Sequence, residues 1–406
     1  MSQLDGFHIM VVSRCFTELN DFIHLEFVCK KYQGTMLKYH YNPIPYNSKV
    51  KKYFPRIETL YLYDQTDPFW FDLSQRLGLS TRDVLSQNIF KTFYRVVVNF
   101  PVDYEDYFLF KNQNFTFKSV SYTQKDRNRF GNEIPDNVKI LSQSCFERCC
   151  GVSSIKIPES VEYIDDRCFN GCLDLVTLNI PTHLKKFGSH CFDVCFALTS
   201  FTIPDSVISL GDACLAYNMH VTALTIPKNI THLGVKCFEG CSFQSVHVEC
   251  GVKYFNTGVF CICKNLSVVD IPKSIEEINN ECFYGCDSLT TIKLSQQTRY
   301  LGDRCFMRCF NMNKIIIPES VEYIGESAFE GCTALKEIEI PKKVDVLQKR
   351  CFFGCSTLSH VKLNEGIKSI DKQCFFECNN LKWIEVPKTL KLRKGSFPKT
   401  TAILKK

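Results

Sequence analysis

Apolar and polar positions from about residue 131 onward recur in a frame of 23 residues. The marker of this frame is an Ile-Pro pair, and successive prolines stand 23 residues apart, or 46 where one unit lacks its Pro. The interval from Pro227 to Pro272 is 45 residues, so one residue is missing, just after Cys241. A fixed period of this length is typical of a protein whose units stack on each other. The pairs are Ile134-Pro135, Ile157-Pro158, Ile180-Pro181, Ile203-Pro204, Ile226-Pro227, Ile271-Pro272, Ile317-Pro318, Ile340-Pro341 and the variant Val386-Pro387.

Each unit carries the same order of apolar columns. An aliphatic residue stands three positions after the Pro, except at Thr298, and a Phe stands eleven positions after it, except at Leu215. Before the Pro, Ile338 and Ile340 alternate with glutamates, which is the period of a half-buried strand. The Pro ends that strand, where the ladder no longer needs an N–H group. Because one unit is too short to bury its own apolar residues, the sequence predicts a solenoid of stacked strand-and-turn units.

Gly, Asn and Asp dominate the position seven residues after the Pro, as in Gly188, Gly211 and Asn279. These residue types tolerate the left-handed backbone conformation better than others. We therefore expect the chain to reverse direction there through a left-handed residue.

Cysteines form two further columns, ten and fourteen positions after the Pro, and account for 19 of the 24 cysteines. A Cys-x-x-x-Cys spacing suits metal ligation, whereas small buried side chains in a column indicate packing. The first column also accepts Val259 and Ala328, which fill space but bind no metal. The sequence therefore favours packing, with reduced thiols and neither metal nor cofactor. Stacked strands do lie close enough for bridges between units, so disulfides remain the alternative.

The unit at residues 317–341, IPESVEYIGESAFEGCTALKEIEIP, resembles the leucine-rich repeat of the BspA-like family, and the resemblance covers about residues 131–397. It implies a right-handed leucine-rich-repeat solenoid of the α/β class, strand-rich with short turns and helical segments, after a small helical N-terminal cap. It also implies a non-catalytic scaffold that binds a protein partner on its concave face. Some BspA-like proteins are instead surface adhesins, which is an alternative function.

The chain before the repeat predicts two further regions. Residues 1–50 read as short helices with Asn20 or Asp21 as a cap, and they resemble an F-box, notably at residues 28–31. An F-box implies a substrate adaptor of a ubiquitin ligase, whereas the alternative is a helical cap over the first repeat. Residues 51–130 contain strand-like runs at 57–62 and 95–101 and are interpreted as degenerate repeats. Residues 131–406 then form the solenoid with a C-terminal cap.

Composition and the missing motifs exclude several classes of function. The net charge of +6 comes from 49 basic and 43 acidic residues spread along the chain, so we expect no nucleic-acid partner. No apolar run approaches the roughly 20 residues of a membrane helix. Phosphate-cradling loops, zinc-protease pairs and nucleophile elbows are missing, so we expect no enzyme. Residues 1–27 do not read as a secretory signal, which predicts a cytoplasmic protein. The alternative is the cell surface, reached by non-classical export.

The polar positions of the predicted strands form the concave face, where a partner would dock. Trp383 occupies a position that most other units fill with Ser, Thr, Glu or Lys, and Trp is enriched at interfaces. The alternative is that Trp383 shields the end of the solenoid together with the C-terminal tail. The candidate protein-binding residues are Glu337, Glu339, His360, Lys362, Trp383 and Glu385.

Overall fold

The computed structural model describes residues 5–393 and 395–405. They form two compact units, one within Met1–Asp126 and Asn137–Ile140 and the other within Arg127–Asp136 and Leu141–Lys406. The divisions at residues 50 and 130 that the sequence suggests remain predictions.

The first unit begins with the helical region that the sequence predicts, although its capping differs. Helix α2 is preceded by Glu18, which makes no side-chain capping bond, so Asn20 and Asp21 lie inside the first turn. The predicted cap was therefore wrong, because the helix starts earlier than the polar pair. The helices are α1 Gly6–Ser13, α2 Leu19–Val28, α3 Ser48–Tyr53, α4 Pro68–Phe71, α5 Thr81–Leu85, α6 Tyr104–Phe110 and α7 Gln124–Phe130. Single turns of 3-10 or π-helix lie at Lys30–Tyr32, Met36–Lys38, Asp72–Arg76 and Asn88–Thr92.

Aromatic side chains fill the core of the first unit. Phe22 from α2, Tyr39 and Phe54 are almost fully buried, and their rings meet edge to face with centroids 5.3–5.8 Å apart. Such pairs are a favourable arrangement of aromatic rings. Helix α2 is thus part of the same core as the strands of this unit.

Three strands of the first unit pair in parallel, in the order β1 Thr59–Leu62, β2 Arg95–Asp103 and β3 Phe115–Tyr122. Leu60 lies beside Val96, and Val96 beside Phe115. Both strand-like runs of the sequence are therefore strands.

The second unit is a parallel β-solenoid, as predicted. Partner residues in most neighbouring turns are 23 positions apart, as for Ile292 and Ile315. Ala223 instead pairs with Ser245, which accommodates the missing residue. The separation is 22 for Ile370 and Leu392 and 19 for Trp383 and Ala402. One series of strands is three or four residues long: β5 Ser154–Lys156, β7 Thr177–Asn179, β10 Ala223–Ile226, β12 Ser245–Val248, β14 Val268–Asp270, β16 Thr291–Lys293, β18 Lys314–Ile316, β20 Glu337–Glu339, β22 His360–Lys362, β24 Trp383–Val386 and β26 Ala402–Lys405. A second series has two residues each: β4 Ile140–Leu141, β6 Tyr163–Ile164, β8 Lys186–Phe187, β9 Ser209–Leu210, β11 His232–Leu233, β13 Tyr254–Phe255, β15 Glu277–Ile278, β17 Tyr300–Leu301, β19 Tyr323–Ile324, β21 Val346–Leu347, β23 Ser369–Ile370 and β25 Lys391–Leu392.

The Phe column forms two ring stacks in the solenoid, from Phe146 to Phe192 and from Phe238 to Phe397, separated at Leu215. Phe329 is fully buried, and its ring lies parallel to those of Phe306 and Phe352 with centroids 5.4 and 5.3 Å away. Its N–H group donates to the carbonyl of Cys351 in the next turn at 2.8 Å. Ring stacking and backbone pairing therefore have the same repeat distance, close to the spacing of neighbouring strands.

The left-handed residues of each turn are not the ones predicted. Gly325, seven positions after a Pro, lies outside the left-handed region, whereas Arg304 (φ 55°) and Arg308 (φ 61°) lie within it. These two residues donate their N–H groups to Glu326 and Glu330 of the next turn. Gly325 is small for another reason: a Cβ there would lie 2.5 Å from backbone atoms of the preceding turn. Close approach of two chain segments, not backbone handedness, selects glycine at this position.

The second cysteine column supplies hydrogen bonds between turns. The Cys332 thiol donates to the carbonyl of Phe306 at 3.2 Å, and burial raises the pKa of this thiol to about 12. Asn218 takes the same place in its turn and donates to the carbonyls of Phe192 and Leu215. The equivalent donors are Cys172, Cys195, Cys241, Cys263, Cys286, Cys309, Cys355 and Cys378. All 24 cysteines are free, and these thiols act as buried donors.

Replacing one ring of the stack should strongly destabilise the protein. Phe329→Ala is expected to lower the free energy of unfolding by about 3–5 kcal/mol, as for other buried Phe truncations. The matched control is Phe310→Ala, because Phe310 is 43% exposed and should change stability by no more than about 0.5 kcal/mol. Urea denaturation of both variants measures the difference. A loss below about 1 kcal/mol for Phe329→Ala contradicts a structural role for the column.

The cysteines should divide sharply in reactivity. The thiolate is the reactive form, so burial protects a thiol both by access and by raising its pKa. Iodoacetamide at mildly alkaline pH should label only the exposed Cys15, Cys29 and Cys150 of the native protein. Peptide mass mapping, with an unfolded sample as the reference for full labelling, measures the pattern. Rapid native labelling of Cys332 or its equivalents would show that the turns open readily.

Candidate protein-binding face

The longer strands of the solenoid alternate their side chains between the core and solvent. In β20, Ile338 is buried while Glu337 and Glu339 on either side are exposed. The strand pleat causes this alternation, since successive side chains point to opposite sides. We call the outward side chains of β5, β7 and the even-numbered strands β10 to β26 the strand face. All six predicted binding residues belong to it.

Four of the six lie together on β20 and β22. Glu337 is the register partner of His360, and Glu339 is the register partner of Lys362. The Lys362 ammonium and the Glu339 carboxylate form an ion pair between the turns. An exposed ion pair of this kind adds at most about 1 kcal/mol of stability, so it contributes little to holding the two turns together.

Trp383 continues this row on β24. Its side chain is 44% exposed, and its ring meets that of His360 edge to face with centroids 5.9 Å apart. Strand β26 runs alongside, yet the register partner of Trp383 is Ala402, whose single methyl group leaves the indole open. Glu385 lies two residues further along β24 and is half-buried.

A shallow trough crosses β18, β20 and β22. Its wall includes the four predicted residues Glu337, Glu339, His360 and Lys362, but neither Trp383 nor Glu385. Lys314 and Ile316 of β18 also line it and were not among the predicted site residues. Ile316 is 68% exposed, an unusual position for so large an aliphatic side chain. Its sequence signal is an Ile at a position that neighbouring turns fill with charged residues.

The strand face carries a second polar cluster further towards the N-terminus. The imidazole Nδ1 of His247 lies 2.8 Å from an Asp270 carboxylate oxygen, and its Nε2 lies 3.7 Å from Glu249. All three side chains are about half or more exposed. An exposed pair of this kind is typical of a solvated surface histidine.

The predicted F-box-like region exposes apolar side chains on its helices. Phe27 is 81% exposed and Val28 is 70% exposed at the end of α2, and Val11 and Val12 of α1 are also exposed. Large apolar side chains grouped on a surface often mark an interaction site. Residues 1–4 of this segment lie outside the described part of the chain.

The described residues contain no helix that is both long and apolar enough to span a membrane. Among residues 5–393 and 395–405, no group of three His, Cys, Asp or Glu side chains is arranged to hold a metal ion.

A buried ladder of stacked turns with a variable polar strand face defines a leucine-rich-repeat solenoid. The family model of the BspA type leucine-rich repeat region matches residues 131–241, 186–310 and 299–405, about two thirds of the sequence. The chain belongs to this family.

Three solved structures are similar in fold. One is a leucine-rich repeat protein from Bacteroides ovatus, 24% identical over 68% of this chain and 91% of that one, with a TM-score of 0.42. Another is a leucine-rich cell surface protein from Faecalibacterium prausnitzii, 22% identical over 75% and 83%, with a TM-score of 0.45. The third is the pneumococcal vaccine antigen PcpA, 20% identical over 72% and 75%, with a TM-score of 0.49. No curated protein matches the chain.

Proposed function

We propose that this protein is a non-catalytic scaffold that binds a protein partner on the strand face around Trp383. Proteins built from this repeat serve mainly in protein interaction or surface adhesion. The observation that carries the proposal is the half-exposed indole of Trp383, which the repeat does not need for its own packing. Buried interface anchors are enriched in Trp and are usually surrounded by polar contacts that exclude water.

The surroundings of Trp383 supply such contacts. The ring of His360 contacts the indole edge to face. The trough, which His360 also lines, combines the cations Lys314 and Lys362 with the anions Glu337 and Glu339. Alternating charges favour a partner with a complementary pattern and discriminate against others more than they add affinity. The exposed Ile316 adds an apolar contact at the far side of the trough.

The variant Trp383→Ala tests whether Trp383 contacts a partner or instead shields the end of the solenoid. We expect its melting temperature to stay near that of the wild type, since the indole is exposed, and partner affinity to fall more than tenfold, or about 1.4 kcal/mol. The partner is first isolated with the full chain and identified, and its Kd is then measured by calorimetry. Thr177→Ala, at an outward position of β7, is the control and should bind normally.

One outcome of the Trp383→Ala experiment contradicts the docking proposal. If Trp383→Ala melts several degrees lower while its folded fraction binds with unchanged affinity, Trp383 closes the end of the solenoid and the docking proposal is wrong.

A second candidate function is substrate adaptor of a ubiquitin ligase, with the F-box-like residues 1–50 recruiting the ligase. The exposed Phe27 and Val28 favour this function. Helix α2 packs against the core through Phe22 and Leu25, so Phe27 and Val28 are not needed for that packing. An adaptor acts in the cytoplasm, where the free thiols would stay reduced. In a surface adhesin, the other role of this family, the strand face would serve the same contact outside the cell.

Phe27→Asp should abolish retention of a purified F-box-binding adaptor by the full chain, because it places a charge in an apolar contact. Trp383→Ala should leave that retention intact. Surface plasmon resonance with the immobilised adaptor measures both. Absence of binding by the wild-type chain removes this candidate and leaves the helices as a cap.

A further inference from the structure

We infer that the open edge of β26 is a second docking site, which takes an acidic, extended segment of a partner protein as one more strand of the solenoid. This goes beyond the proposed function, because it uses the backbone edge of β26 and not the strand face around Trp383.

The first observation is the backbone of β26. The Ala402 N–H group donates to the carbonyl of Lys382 at 2.8 Å, so it faces the preceding turn. In a parallel pair, successive residues direct their N–H and C=O groups to opposite edges. Those of Ile403 and Lys405 therefore face away from β24, and no backbone partner meets them in residues 5–393 or 395–405. An exposed row of this kind is a template for an added strand.

The second observation is an uncovered core position. Ile338, Val361 and Ile384 are inward residues of successive strands and are 3%, 6% and 0% exposed. Ile403 is the register partner of Ile384, yet it is 39% exposed, and all four side chains of β26 are exposed. A strand that pairs with β26 would place an apolar residue beside Ile403 and continue the row.

Charge identifies the kind of segment. Residues 386–406 contain no Asp or Glu, while Lys388, Lys399 and Lys405 are exposed and form no ion pair within the described residues. Arg393, in contrast, is paired with Asp371 at 3.0 Å. Lys405 lies on β26 itself and Lys399 precedes that strand by three residues, so the strand attracts carboxylates and repels a second copy of itself, because like charges would face each other across strands. The occupant is thus an acidic strand of another protein.

The test uses the full chain and a short synthetic peptide that alternates Glu with Val, labelled with fluorescein. Fluorescence anisotropy should show saturable binding, with loss of binding for the peptide that carries Lys in place of Glu. The double variant Lys399→Glu with Lys405→Glu should weaken binding at least tenfold. The control Lys156→Glu with Lys293→Glu reverses the same charge on β5 and β16 and should bind normally.

Backbone pairing is tested on the peptide, which leaves the protein unchanged. N-methylation of alternate amides removes the donors of one edge but keeps every charge. The proposal expects methylation of the pairing edge to abolish binding. It is overturned if the wild type does not bind the acidic peptide, if both methylated forms bind equally well, or if sedimentation shows that the edge is occupied by a second copy. The peptide assay measures the edge of β26 and not the strand-face partner, so failure here is separable from failure of the strand-face proposal.

Discussion

The solenoid depends on the alignment of each turn with the next at three places: the Phe column, the backbone amides and the buried side-chain donor, which is a thiol in most turns and Asn218 in one. The stacked Phe rings are separated by about the distance between paired strands, so aromatic contact and main-chain hydrogen bonds reinforce each other. A turn with one residue more or fewer can keep this alignment only if the change falls outside the aligned positions. The shortened unit does so after Cys241, and β10 and β12 still pair over four residues.

The alignment of neighbouring turns also explains which residue types occur where their backbones approach most closely. Backbones approach so closely at Gly302 and Gly325 that a Cβ has no space, while Arg304 and Arg308 accept a left-handed conformation that directs their amides to the next turn. A left-handed non-glycine residue costs roughly 1–2 kcal/mol, which the hydrogen bond to the next turn offsets. The thiols beside them provide one more donor for a buried carbonyl, and Asn218 shows that donation, not sulfur chemistry, is what the site requires.

The inward positions are occupied by the core, so both proposed docking surfaces use what remains accessible: outward side chains and the edge of β26. The strand face offers Trp383 and the charged trough, and β26 offers main-chain groups and Ile403. The two proposals assign different partners to these surfaces: a protein partner to the strand face around Trp383, and an extended acidic segment to the edge of β26. The helices of the first unit expose Phe27, and the second candidate function uses this surface to recruit a ubiquitin ligase.

The sequence by itself determined the period, the strands before seven of the nine repeat prolines, the buried Phe column and the outward placement of Glu337, Glu339, His360 and Lys362. Within the described residues, no strand directly precedes Pro135 or Pro204. These follow from local alternation and from repetition, which act over a few residues and recur in each unit. The structure alone decided why Gly325 is glycine, which residues are left-handed, and that Ile316 borders the trough. It also decided that Ile403 remains uncovered while Ile384 does not. Such facts depend on which atoms of a neighbouring turn come close, and a spacing within one turn carries no information about that distance.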